Sequence, residues 1–198
     1  PELTKESGYG ASGNYALLDM IAALKWVKEN IAAFGGDPNQ VTIAGQSAGA
    51  FAVSHLCATP LAKGLFKGAI LQSGGSVLSS SLRPTTNLQQ AEKMGIDFAK
   101  NLHANSIEDL RKISASEILQ SNQGLSYPIE DGYVLPSSIA DIYINGMQND
   151  VALMLGWNFD DRVSGPPVKA EVYKQQIQKQ YGENADKLLQ YYPATNDS

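Results

Sequence analysis

The chain has 198 residues, of which 43% are hydrophobic, and its 15 basic and 20 acidic side chains give a formal net charge of −5. This length and apolar content suffice for one sizeable core, and the mild acidity without a stripe of Lys and Arg excludes a nucleic-acid partner. No apolar run approaches the roughly 18 residues that a membrane span requires, and residues 1–10 lack the charged head and apolar body of a signal peptide.

The first predicted element is an amphipathic helix that ends near residue 34. Its apolar residues recur at three- and four-residue steps, while Lys25, Lys28 and Glu29 lie on the other side. The apolar positions are Leu17, Met20, Ile21, Leu24, Val27, Ile31 and Phe34. Gly35 and Gly36 then end the helix, and a polar turn leads into the next element.

Three short apolar runs, at 41–44, 69–71 and 151–155, predict β-strands because turn residues flank each of them. Helical segments separate the runs, which predicts a parallel sheet with its strands buried on both faces. Between the second and third runs, the polar stretch 87–123 predicts a helical insertion over the sheet, and a loop at 76–86 leads into it. Residues 172–189, rich in Gln and Lys, predict one surface helix.

A serine lies at the end of the first predicted strand, where residues 45–49 read Gly-Gln-Ser-Ala-Gly. A small-residue helix follows, so Ser47 occupies a tight turn between strand and helix, which would lift its hydroxyl clear of the sheet. The flanking Gly45 and Gly49 are expected because a Cβ at either position would collide where strand and helix pass closely. Ser47 is thus the candidate nucleophile, and the backbone N–H of Ala48 is the candidate donor to a developing oxyanion.

The segment 34–49 matches the active-serine signature of the type-B carboxylesterase and cholinesterase family at every fixed position, and the chain therefore resembles this branch of the α/β hydrolases. Three further blocks are similar to the same family, at 14–30, 68–74 and 128–136. The resemblance implies a partial α/β-hydrolase fold, with parallel strands, flanking helices and a helical insertion. It also implies one incomplete domain over residues 1–198. Its regions are the nucleophile elbow at 8–76, the helical insertion at 77–126, the acid strand at 127–162 and the helical tail at 163–198.

The resemblance further implies an acid just past the third strand, where the family usually has glutamate before a glycine. Asp161 aligns with this acid, as aspartate followed by Arg162, and its neighbour Asp160 is a competing candidate. The alternative is that both aspartates only form a solvated, helix-capping turn. Family members also carry a serine at the position of Ser73, which helps to orient the histidine and the acid. The alternative for Ser73 is that it only caps a turn.

Neither histidine of the chain is expected to serve as the catalytic base. His55 lies eight residues after Ser47 on the predicted helix, about 12 Å along its axis, and His103 lies in the insertion before the candidate acid. The resemblance places the catalytic histidine beyond Ser198 and a glycine-rich oxyanion loop before Pro1, so the chain resembles the central part of an esterase. Alone it should be nearly inert, because losing the histidine typically costs on the order of a millionfold in rate.

The predicted activity is that of a carboxylesterase, which hydrolyses a small ester through an acyl-enzyme on Ser47. No cofactor is expected, and the rest of the polypeptide is expected to supply the missing catalytic groups. One alternative is a non-catalytic interaction or adhesion module of the same fold, whose mark would be a lost serine. Another is a binding module for small apolar ligands, which would need a closed cavity. The intact Ser47 favours the enzyme.

The remaining polar chemistry is sparse. The single cysteine, Cys57, excludes an internal disulfide and falls in an apolar helix, which favours a buried structural thiol over a reactive one. With two histidines and one cysteine, no metal site is predicted. The compartment stays open, and the family resemblance is compatible with a secreted or periplasmic protein.

Overall fold

The computed structural model describes residues 1–75, 86–121, 127–158, 161 and 168–195. Contacts among these residues divide the chain into two compact units, Pro1–Asn158 and Phe159–Ser198. The predicted loop at 76–86 lies outside the described residues except for Thr86, as do Asp160 and Arg162. The boundaries of the single incomplete domain remain a prediction.

The first unit contains a parallel sheet whose strands follow the three predicted runs. They are β1 (Thr42–Gln46), β2 (Gly68–Gln72) and β3 (Ala152–Gly156), in the order β1-β2-β3. Both pairings are parallel, so Gln46, Gln72 and Gly156 lie side by side at the carboxyl edge of the sheet. The predicted parallel α/β architecture is confirmed. It brings the residues that follow β1 and β2 to the same edge.

The sheet is packed on one face, where helix α3 contacts β1 and β2. Ala69 and Leu71 of β2 are buried among α3 residues there, whereas Ala44 and Gln46 on the other face of β1 are exposed. All residues of β3 are exposed. The prediction that all strands are buried on both faces is therefore wrong, since β1 and β3 form the edges of the described sheet and their apolar composition alone provides no covering layer.

Seven α-helices occur in the described part of the first unit. They are α1 (Glu2–Glu6), α2 (Tyr15–Asn30), α3 (Ala48–Ala58), α4 (Leu88–Asn101), α5 (Ile107–Lys112), α6 (Ala115–Gln120) and α7 (Ile139–Ile144). The predicted helical insertion corresponds to α4, α5 and α6. The side chains of Asn87, Ser106 and Ser114 begin these three helices, and each accepts a backbone N–H from the first helical turn, as expected of helix N-caps.

The predicted amphipathic helix before β1 is confirmed in its first part. Leu17, Ile21 and Leu24 of α2 are buried, whereas Met20 of the predicted stripe is exposed, and a 3₁₀ turn at Ile31–Phe34 continues the helix. The end of the predicted apolar stripe is not covered, because Phe34 is 72% exposed. Periodicity identifies the face of a helix that can be buried, but only a neighbouring element buries it.

Two segments that are far apart in sequence are joined directly in the first unit. The Asn14 side-chain Nδ2 donates to the Ile129 carbonyl at 2.9 Å, and its Oδ1 accepts the Ile129 N–H at 2.9 Å. Nearby, Asp131 Oδ1 accepts the N–H groups of Val134 and Leu135, which shapes the following turn. These bonds hold the 128–136 block against the start of α2.

Two helices occur in the described part of the second unit, α8 (Ala170–Tyr181) and α9 (Ala185–Tyr191), and a 3₁₀ turn at Gly182–Asn184 joins them. The prediction of one helix over 172–189 is wrong. Gly182 has a φ of 49°, a conformation that glycine adopts at little cost and that ends the helix. None of the helices in the described segments combines the length and the apolar character needed to cross a membrane.

Candidate active site

The candidate nucleophile occupies an exposed, strained turn. Ser47 lies between β1 and α3 with φ 50° and ψ −117°, an uncommon backbone conformation for a residue with a side chain. Its N–H donates to the Gln72 carbonyl at the end of β2, at 2.9 Å, and its own carbonyl accepts the Phe51 N–H at 3.1 Å. The backbone of the turn is therefore fixed from both the sheet and the helix.

The hydroxyl of Ser47 is not used to cap the helix that it precedes. A serine at this position usually accepts an N–H of the first helical turn, but Ser47 makes no such bond. Ala48, the first residue of α3, is exposed, and its N–H has no carbonyl partner within the helix. A hydroxyl and a helix-terminal N–H thus lie on adjacent residues. The hydroxyl can attack a carbonyl carbon while the N–H donates a hydrogen bond to the carbonyl oxygen.

The glycines around the turn have unequal roles. A Cβ on Gly45 would overlap the carbonyl group of Gly49 and lie 2.8 Å from the Ala50 nitrogen, so the expected close approach is confirmed there. A Cβ on Gly49 would meet nothing within 4 Å among the described residues, so the expected collision at Gly49 is wrong. Sequence reasoning missed Gly74, where a Cβ would lie 2.6 Å from the Ser47 carbonyl oxygen. No local pattern could have revealed that contact, because it joins different strand ends.

Ser73 stands at the end of β2 as Ser47 does at the end of β1. Its φ is 52°, and its N–H donates to the Gly156 carbonyl of β3 at 2.8 Å. It is half-buried and lines an open concavity of about 450 Å³ at the carboxyl edge of the sheet. The other lining residues are Gln46, Ile70, Leu71, Gln72, Met154, Leu155, Gly156, Trp157 and Asn158. Ser73 therefore faces open space, and its supporting role stays a prediction.

The candidate acid and the two histidines belong to other segments than the Ser47 turn. Asp161 is exposed, lies outside helices and strands, and belongs to the second unit, so its role stays a prediction. His55 is buried within α3, and its Nδ1 lies 2.6 Å from the Phe51 carbonyl oxygen. His103 is exposed just after α4, with φ 55°. His55 is thus engaged with its own helix.

The prediction of a buried thiol at Cys57 is confirmed. Cys57 is 2% exposed, and burial raises the pKa of its thiol to about 11, although a hydrogen bond with Tyr143 lowers it slightly. Tyr143 in turn donates to the Ser54 carbonyl at 3.0 Å, and burial raises the pKa of its phenol. Such a thiol is neutral at pH 7 and a poor nucleophile. Among the described residues, no cluster of His, Cys, Asp and Glu could hold a metal ion.

A serine on a positive-φ turn between a parallel strand and a helix, with a neighbouring helix-terminal N–H, defines the nucleophile elbow of the α/β hydrolases. The parallel sheet and the flanking helices agree with this class. Within it, the chain belongs to the carboxylesterase family, whose sequence model matches residues 4–196.

The chain is also similar to several esterases, in sequence and in structure. The chain is 40% identical over 212 aligned positions to fumonisin B1 esterase of Sphingopyxis macrogoltabida, covering 100% of the chain and 38% of that protein. It is 36% identical over 157 positions to para-nitrobenzyl esterase of Bacillus subtilis, covering 76% of the chain and 32% of that protein. A solved PNB esterase structure aligns with TM-score 0.69 and 31% identity, over 93% of this chain and 42% of that one. The chain thus spans about two fifths or less of these relatives.

Proposed function

We propose that this chain supplies the nucleophile-bearing part of a serine carboxylic-ester hydrolase that works through an acyl-enzyme on Ser47. The observation that carries the proposal is the exposed, strained turn of Ser47, with its hydroxyl not used as a helix cap. Strained backbone persists at functional sites only where the surroundings fix it, as the bond from Ser47 N–H to Gln72 does here. Membership of the carboxylesterase family supports the same reaction class.

In the proposed mechanism, Ser47 Oγ attacks the ester carbonyl carbon while a histidine takes the hydroxyl proton. The carbonyl oxygen becomes negative, and the Ala48 N–H donates a hydrogen bond to it. Collapse of the intermediate breaks the bond to the alcohol oxygen, which leaves with the proton from histidine. Water then attacks the acyl-enzyme, with the same histidine as base, and this step releases the acid and restores Ser47.

The histidine of this mechanism comes from polypeptide outside the 198 residues. His55 does not fit the role because it is buried and its Nδ1 contacts its own helix. For the orienting acid we propose Asp161, which follows Asn158 at the carboxyl end of β3 by three residues. Ser73, at the end of the neighbouring strand β2, is the proposed supporting residue for that pair.

The proposed substrate is a small ester. The whole chain aligns with fumonisin B1 esterase at 40% identity, so fumonisin B1 is the first substrate to test, with a para-nitrobenzyl ester as the second. The open concavity at the carboxyl edge of the sheet is lined by Gln46, which precedes Ser47, and not by Ser47 itself. The choice of substrates therefore rests on the relatives and not on this concavity.

The proposal is tested by a serine-directed fluorophosphonate on the esterase polypeptide that contains this chain. We expect one adduct, located on Ser47 by peptide mass spectrometry, and loss of ester hydrolysis in proportion to labelling. Ser47→Ala is the matched control and should remain unlabelled while it melts as a folded protein. A folded wild-type protein without an adduct would overturn the proposal and favour the non-catalytic interaction module.

A further inference from the structure

We propose that Gly74 is a positioning residue for the catalytic turn, because its missing side chain allows the end of β2 to orient the peptide bond between Ser47 and Ala48. The inference rests on the proposed esterase function. It concerns a residue outside the Gly-Gln-Ser-Ala-Gly motif, two positions after the end of β2, whereas the nucleophile follows β1.

The end of β2 and the residues just after it approach the Ser47 backbone at two points. The Gln72 carbonyl accepts the Ser47 N–H at 2.9 Å. Two residues later, a Cβ on Gly74 would lie 2.6 Å from the Ser47 carbonyl oxygen and 3.3 Å from its carbonyl carbon. Folded proteins do not accommodate a carbon and a backbone oxygen at 2.6 Å, so an added methyl group would displace the Ser47 carbonyl.

A displaced Ser47 carbonyl would move the proposed oxyanion donor. The Ser47 C=O and the Ala48 N–H belong to one peptide unit, which is planar and rigid. A tilt of the carbonyl therefore turns the N–H on the other side of the same plane. An oxyanion donor stabilises the transition state only when its N–H points at the oxygen that becomes negative. A small rotation of this plane therefore weakens transition-state stabilisation more than it weakens substrate binding.

The surroundings leave the methyl group no alternative space. Gly74 is buried, and the same Cβ would also lie 2.9 Å from Ala50 Cβ, on a residue that is 0% exposed. Gly74 lies outside the positive-φ region, so an alanine there tests space alone. At the neighbouring Gly75, which has a φ of 133°, an alanine would add backbone strain, so the effect of space could not be separated from that of strain.

The test is Gly74→Ala in the esterase polypeptide that contains this chain. We expect kcat to fall by about 100-fold per active site, with KM changed less than about threefold, since a misplacement near 1 Å costs on that order. The affinity for a boronic acid, which mimics the tetrahedral intermediate, should fall in parallel with kcat. A merely structural role would lower the melting temperature but leave both quantities unchanged in the folded fraction.

Two further variants separate the causes. Gly36→Ala puts a Cβ 2.7 Å from Ile31 Cγ1. Gly36 precedes β1 whereas Ser47 follows it, so this variant should lower stability without lowering kcat per active site. Gly74→Ala/Ala50→Gly removes the contact with Ala50 Cβ but keeps the one with Ser47. This double variant should retain the low kcat, and it serves as the folded test if Gly74→Ala does not fold.

Two outcomes would overturn the inference while leaving the esterase function intact. One is a Gly74→Ala enzyme with kcat and boronic acid affinity within about twofold of wild type, against the roughly 100-fold loss expected from misplacement. The other is full recovery of kcat in the double variant, which would assign the effect to Ala50 packing. Failure of the wild-type enzyme to form an adduct on Ser47 is a different result, since it rejects the proposed function itself.

Discussion

Asn14 and Ile129 are separated by 115 positions, yet the side chain of Asn14 pairs with both backbone polar groups of Ile129 at 2.9 Å. Ile129 is 8% exposed, so water cannot readily replace these bonds. Asn14 itself has a φ of 53°, which asparagine tolerates better than most residues. The 128–136 block is therefore bound to the start of α2 by two direct side-chain hydrogen bonds, and not by strand pairing or helix packing.

Asn14→Gly should lower the free energy of unfolding by about 1–3 kcal/mol, because it leaves the buried polar groups of Ile129 unpaired. Glycine keeps the positive φ, so the loss reports on the hydrogen bonds and not on backbone strain. Urea unfolding followed by circular dichroism measures the change. Asn30→Gly, which removes one exposed bond to the Trp26 carbonyl, is the comparison. Equal losses in both variants would contradict the role of the Asn14 pair.

Ser47→Gly should be more stable than Ser47→Ala by about 1 kcal/mol, since only alanine retains a Cβ at the strained φ of 50°. Both variants lack the hydroxyl, and neither loses a helix cap, because Ser47 Oγ does not cap α3. Thermal unfolding of the two variants in parallel gives the difference. If alanine were the more stable, the backbone of the turn would not be strained as described.

The Cys57 thiol should make stability depend on pH in the alkaline range. Its folded pKa of about 11 lies above its ordinary value of 9.0, so the folded state holds the proton more tightly. The resulting stabilisation is complete below pH 9.0 and is lost as pH rises towards about 11. Urea unfolding at several pH values should show a shallower decline for Cys57→Ala than for wild type. Identical slopes would show that Cys57 ionises equally in both states.

Gly95→Ala and Gly182→Ala should change stability in opposite directions. Neither Cβ would meet an atom within 4 Å, so packing does not distinguish them. Gly95 lies inside the exposed part of α4, where alanine gains up to about 1 kcal/mol in helix propensity. Gly182 has a φ of 49° and a ψ of −122° between α8 and α9, where alanine costs about 1–3 kcal/mol. Thermal unfolding of both variants measures the two changes in stability. A stabilising Gly182→Ala would show that the backbone at Gly182 does not require glycine.

Local sequence was sufficient where one short segment decides the structure. The Gly-Gln-Ser-Ala-Gly turn is specified by the strand before it, the helix after it and the crowding at Gly45, so the position of Ser47 follows from neighbours in the chain. The three parallel strands follow in the same way from apolar runs separated by helices. The buried thiol of Cys57 follows from the apolar helix around it.

Contacts between distant segments could not be predicted in this way. Gly74 is required by the Ser47 carbonyl, which approaches it only once β1 and β2 are paired. The periodicity of Phe34 does not decide its exposure, because the ring beside it belongs to Trp26, which is itself 53% exposed. The break at Gly182 was missed because the helical pattern continues through it, although the glycine itself was visible. For Gly74 and Phe34 the deciding feature lies outside the local pattern, whereas the Gly182 break lies within it.

The exposed edge strand β3 affects the solubility of the isolated chain. Leu153, Met154 and Trp157 are between 46% and 67% exposed, and residues 151–158 contain no Lys, Pro or other feature that discourages strand addition. Such an edge offers backbone hydrogen bonds and apolar side chains to any extended segment that meets it. Purified at high concentration without a covering strand, the 198-residue chain should precipitate or form oligomers, and its solubility will depend on what occupies that edge.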